Sequence, residues 1–146
     1  MSPDDIAVVQ RSWAGLRRRR DDLVRRLALE LGALDVIDTG DVAMAARRAA
    51  WLVGSVDELT GLLRSASRLE ARARELFADW PVAGVTPTFA VDGTAWMAAA
   101  RSVAPSWSDE MARAWRRAWL LVSEVLALDA LSPFAAASLP GSEPRS

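Results

Sequence analysis

An all-α bundle is predicted by three observations along the chain. Apolar residues recur at spacings of three and four over most of its length, and helix-start chemistry precedes several of these runs. No stretch alternates with the period of two that a half-buried strand requires. At 146 residues the chain can bury one core but not two independent ones, and the apolar runs divide into about six to seven helices of a single domain. The expected domain spans residues 2–131, with a mobile C-terminal tail over 132–146.

The first helix starts at Ser2-Pro3-Asp4-Asp5, with serine as N-cap, proline in the first turn and aspartate closing a capping box. Ile6, Val9, Trp13 and Leu16 form its apolar face. A polar stretch at Arg17–Asp22 either bends or continues the helix, and Leu23, Val24, Leu27 and Leu31 make the next face. Gly32–Gly40 reads as a connection ending in the turn residues Asp38-Thr39-Gly40. Asp41 caps a helix carrying Val42, Ala45, Ala49, Leu52 and Val53, and Gly54-Ser55 suggests a break before a helix starting at Asp57. That helix bears Leu59, Leu62, Leu63, Leu69, Leu76 and Phe77, with a solvated middle over Arg64–Arg74, and Trp80-Pro81 ends it. Thr88–Val103 follows with Phe89, Ala95, Trp96, Ala99 and Val103 as core. Pro105 breaks the chain, and Ser106 or Ser108 caps a last helix with the stripe Met111, Trp115, Ala118, Trp119, Val122, Val125 and Leu126. From Ser132 the chain turns to proline, serine, glycine and alanine.

Composition removes whole classes of chemistry. Histidine, cysteine, tyrosine and lysine are absent, so all 18 basic residues are arginine. Arginine stays protonated and neither ligates metals nor serves as a base near neutral pH. Without cysteine there is no disulfide, thiol nucleophile or zinc–thiolate site. A formal net charge of −1 gives no overall field toward nucleic acid or an anionic membrane. The N-terminus lacks a secretory pattern, and the most apolar stretch, Ala118–Leu131, is interrupted by Ser123, Glu124 and Asp129. A cytoplasmic protein is therefore expected. Adjacent acids such as Asp57-Glu58 and Asp109-Glu110 sit at helix starts, and no nucleophile has a base partner, so no enzyme is expected.

Three segments in order carry a family resemblance. SPDDIAVVQRSW is similar to the opening helix of bacterial flavohaemoglobin-like and single-domain globins. WLVGSVDEL resembles the end of their distal helix, and GVTPTFAVDG followed by SWSDEMARAWRRAW resembles the turn after the proximal helix and the last two helices. The resemblance implies haem and a bound gas, yet the positions it assigns to haem do not match. Counted back from Gly84-Val85 the proximal histidine position falls on Trp80, and counted forward from Val56-Asp57-Glu58-Leu59 it falls on Ala73. The two registers imply an insertion between Leu59 and Trp80. The distal aromatic position falls on Ala28, and no phenylalanine precedes Phe77 to wedge a haem. The segment Gly40–Gly54 is also about four residues short of the family's helical reach. Methionine normally ligates haem iron beside a histidine, so Met44, Met97 and Met111 read as core filling.

These readings set the functional expectation: a haem-independent globin-like domain, without cofactor or metal, acting as a sensory or protein-interaction module. The alternative is a haem-binding globin that uses a non-histidine ligand. The seven tryptophans either fill the volume a haem would take or line a pocket for an apolar small molecule, with Trp51, Trp80, Phe89 and Met97 as candidates. Arg113, Trp115, Arg116 and Trp119 form either a homodimer interface on the last two helices or a core face edged by arginine. Arg17–Arg20 with Arg25-Arg26 reads as a solvated surface, because four consecutive residues cover a full helical turn and no aromatic is interleaved. No nucleic-acid or membrane partner is expected.

Overall fold

A computed structural model describes residues 1–33, 42–78 and 89–138, with side chains described for 1–33, 42–76 and 92–125. Six α-helices occur among them: α1 (Pro3–Arg17), α2 (Arg20–Ala33), α3 (Val42–Thr60), α4 (Ala66–Ala78), α5 (Phe89–Val103) and α6 (Asp109–Ser138). No strand occurs among the described residues. Helix α2 packs on both α3 and α5, α1 packs on α6 and α3, and α6 closes against α5 and α4.

The capping box forms as its spacing demands. The Asp5 amide donates to Ser2 Oγ at 3.1 Å, and the Ser2 amide donates back to Asp5 Oδ2 at 3.3 Å. Arg117 of α6 donates to the same carboxylate at 2.8 Å, and chiefly for this reason the Asp5 carboxyl sits below its ordinary pKa. Ile6, Val9, Trp13 and Leu16 are all buried, so one face of α1 serves the core.

Polar atoms of α1 then fix its neighbours. Gln10 Nε2 donates to the Thr60 carbonyl at 3.0 Å, and Trp13 Nε1 donates to Asp57 Oδ1 at 2.8 Å. Ser12 Oγ accepts from Trp115 Nε1 at 2.9 Å. One short stretch of α1 thus ties the end of α3 and the middle of α6 to itself.

Three boundaries differ from expectation. Helix α3 passes straight through Gly54-Ser55 and ends at Thr60. Ser55 satisfies its hydroxyl within the helix by donating to the Trp51 carbonyl at 2.8 Å, and the buried face on either side holds the pair in register. Asp57 is therefore a mid-helix acceptor and not a helix start, and the break comes later, in the turns before α4. Val42, expected in the core, is 78% exposed because the packed face begins one turn on, at Ala45. Helix α6 runs on through Pro133 to Ser138, past the tail boundary expected at Ser132. Residues 139–146 lie outside the described residues. At the start of α6, Ser108 and not Ser106 is the capping residue, since its Oγ accepts from the Met111 amide at 3.2 Å.

The core is centred on Trp96, which is fully buried on α5. Its ring lies 5.9 Å from that of Trp13, 5.3 Å from Trp115 and 5.9 Å from Trp119, the last nearly parallel at 24°. Gly93 is what lets α6 come this close: a Cβ there would stand 2.7 Å from both Cδ1 and Nε1 of Trp119. Gly93→Ala is expected to destabilise the fold by about 1–3 kcal/mol through overpacking, despite alanine's better helix propensity. A thermal melt at or above the wild-type midpoint would refute that contact.

Candidate functional site

Among the described residues an apolar cavity lies between α3, α4 and α6. Helix α3 contributes Trp51, Leu52, Ser55, Val56, Leu59 and Thr60, the following turn Leu63, α4 Leu76, and α6 Trp115, Ala118, Trp119 and Val122. These positions fall three or four apart on α3 and α6, so each helix lends one face, and the free volume of this partly open space is about 40 Å³.

The lining chemistry is nearly all carbon. Ser55 spends its hydroxyl proton on the Trp51 carbonyl, and Thr60 Oγ1 donates to the Asp57 carbonyl at 3.2 Å. The lining contains no thioether, and imidazole, thiol and phenol are absent from the whole chain. Among the described residues no group of acidic, histidine or cysteine side chains could hold a metal ion. The arrangement can accept an apolar guest of a few atoms and offers no bond to a metal centre.

The residues singled out in the sequence fall as follows. Trp51 lines the cavity, whereas Met97 is half-buried on α5 against the core and does not reach it. Trp80 lies outside the described residues, as does the Phe89 side chain. Ala73 is fully buried on α4 and Ala28 half-buried on α2, each presenting only a methyl group. Trp115 is 2% exposed and Trp119 half-buried, both turned toward Trp96, so of the two arrangements left open for α6 the tryptophans take the core one. Arg113 and Arg116 remain exposed on the outer side of the helix.

A second feature went unread in the sequence. Arg48 of α3 and Asp92 of α5 form an ion pair in which both side chains are fully buried. Arg48 Nε and Nη2 both donate to Asp92 Oδ1, at 3.1 and 3.0 Å, and Nη2 also donates to Oδ2 at 2.8 Å. Burial pushes the Asp92 carboxyl above its ordinary pKa, and the guanidinium opposes that shift. The signal was present: Arg48 stands three residues after Ala45 and four before Leu52, inside the apolar stripe of α3. Asp92 likewise falls in register with Trp96 and Ala99. A charge on each of two apolar stripes, with opposite signs, is the pattern of a buried pair.

Among the described residues no helix is long and apolar enough to cross a membrane. No family model, curated protein or solved structure matches this chain.

Proposed function

We infer that this chain is a haem-independent globin-like domain acting as a sensory or protein-interaction module. The observation that carries this reading is the occupancy of the space between α3 and α4, the helices that the resemblance aligns with the distal and proximal ones. Trp51, Trp115, Trp119 and Leu76 crowd it, leaving about 40 Å³. That is well below the roughly 150 Å³ of an engineered cavity that admits benzene, and further below ordinary cofactor pockets of about 300–1,000 Å³. The donor set supports the same conclusion, since haem iron takes histidine, cysteine, tyrosine or a histidine-partnered methionine. None of the four methionines lines the cavity.

What the domain presents outward supports a role in association. Arg113 and Arg116 are exposed on α6 together with Leu120, which is 61% exposed. A second copy of the chain meeting along this face suits a pairing module, with an apolar guest beside Trp119 as a means of shifting α6. Titration of the purified protein with haemin is the direct test. The expected spectrum shows free haemin at every ratio, with no narrowed and shifted Soret band. A stoichiometric ligated complex overturns independence from haem. Native mass spectrometry tests the second half of the reading, with a dimer expected that the exposed-face substitution Leu120→Arg disperses.

A further inference from the structure

The junction of α1 and α2 gathers arginines that a continuous helix would scatter. Helix α1 ends at Arg17, the Arg19 amide donates to the Leu16 carbonyl at 2.9 Å in a tightened turn, and α2 begins at Arg20. Because the helix breaks here, the expectation that Arg17–Arg20 cannot share a surface does not hold. With Arg25 they line one shallow concavity of the surface, more open than enclosed.

The charges there are not balanced internally. Arg25 is bonded to Asp22. Arg17 and Arg20 lie 3.4 and 3.8 Å from Asp57, a carboxylate that already accepts from Trp13. Arg18 and Arg19 are exposed and make no ion pair among the described residues. Five guanidinium groups thus face Asp21, Asp22 and Asp57, an excess of two positive charges on a chain whose formal net charge is −1.

Guanidinium forks bond pairs of oxygens, and several converging forks match phosphate better than a single carboxylate. The excess charge matches a group carrying two or more negative charges. No aromatic ring lines the concavity, so nothing there would stack a nucleobase. We propose that the arginine concavity between α1 and α2 binds a compact phosphate-rich group, such as a diphosphate or a polyphosphorylated headgroup. This site is separate from the apolar cavity and does not rest on the reading of that cavity.

Calorimetric titration of the full chain with sodium pyrophosphate, tripolyphosphate and sulfate at equal ionic strength tests the proposal. Pyrophosphate and tripolyphosphate are expected to bind at one site, about tenfold or more tighter than sulfate. The double variant Arg18→Gln/Arg19→Gln is expected to lose about tenfold in affinity, since each lost charge-assisted bond is strong. Both side chains are exposed, so the variant keeps its fold, which far-ultraviolet circular dichroism verifies. The pair Arg64→Gln/Arg68→Gln, exposed before and within the first turn of α4, removes the same charge elsewhere and is expected to leave binding unchanged. Phosphatidylcholine vesicles with and without a phosphoinositide bisphosphate identify the source of the group. Vesicle binding that pyrophosphate displaces assigns a headgroup, and pyrophosphate binding alone assigns a soluble ligand; both uphold the site. Sulfate binding as tightly as pyrophosphate, equal losses in the two double variants, or vesicle binding that pyrophosphate does not displace would each overturn it.

Discussion

Asp92→Ala is expected to cost about 3–5 kcal/mol of unfolding free energy, the largest loss from any single polar substitution in this fold. The carboxylate it removes is fully buried and takes all three hydrogen bonds described from Arg48. Arginine cannot shed its proton to escape burial, so the variant leaves a buried guanidinium without the carboxylate that balances its charge. The double variant Arg48→Met/Asp92→Ala removes both charges and leaves an apolar side chain of similar length. It is expected to recover most of the loss, because a buried pair contributes little net stability beyond the desolvation it must offset. Urea unfolding of wild type, both single variants and the double variant gives the coupling directly. A double variant no more stable than Asp92→Ala would mean that the pair does not act as a unit.

The second large effect belongs to the aromatic centre. Trp96→Ala is expected to destabilise the fold by about 3–5 kcal/mol, the range for emptying a buried aromatic site. Three further indoles, Trp13, Trp115 and Trp119, lean on Trp96 from α1 and α6, so its removal leaves a hole on which two helices converge. Trp96→Phe discriminates packing from polarity. Trp96 Nε1 is buried and makes no hydrogen bond among the described residues. An unsatisfied buried donor costs about 1–3 kcal/mol, which phenylalanine sheds while giving up part of the ring area. Trp96→Phe is therefore expected to lose less than half of what alanine loses. Equal losses in the two variants would show that filling this space, even in part, does not govern stability.

Much of the architecture could be read from periodicity. The face Ile6–Val9–Trp13–Leu16, the row Leu23–Leu27–Leu31 and the stripe through Trp115, Ala118 and Val122 are all buried, because spacing alone dictates which side of a helix meets its neighbours. The Ser2 and Pro105 signals also mark real boundaries, being local chemistry that needs no tertiary partner. Failures came where tertiary contacts override local preference. Gly54-Ser55 reads as a break only until the flanking face is seen to be packed, and the arginine run reads as one turn only until the helix is seen to stop. Of the cavity, Trp51 was legible, while Leu63 and Leu76 were known only as apolar positions, because sequence gives a face and not what lies opposite it. Trp115 and Trp119 were open between partner and core, an ambiguity that composition could not resolve. The Gln10-Arg11-Ser12-Trp13 stretch has a plain mechanical job: three of its side chains bond across to α3 and α6.

The close indole packing also gives the molecule an optical property. Rings whose centres lie 5.3 to 5.9 Å apart are close enough for excitation to pass between them, so Trp13, Trp96, Trp115 and Trp119 are expected to behave as a coupled set and not as four separate emitters. Two members of that set, Trp115 and Trp119, also wall the cavity. A displacement of either ring is therefore expected to register in the emission of the whole cluster, without any attached dye.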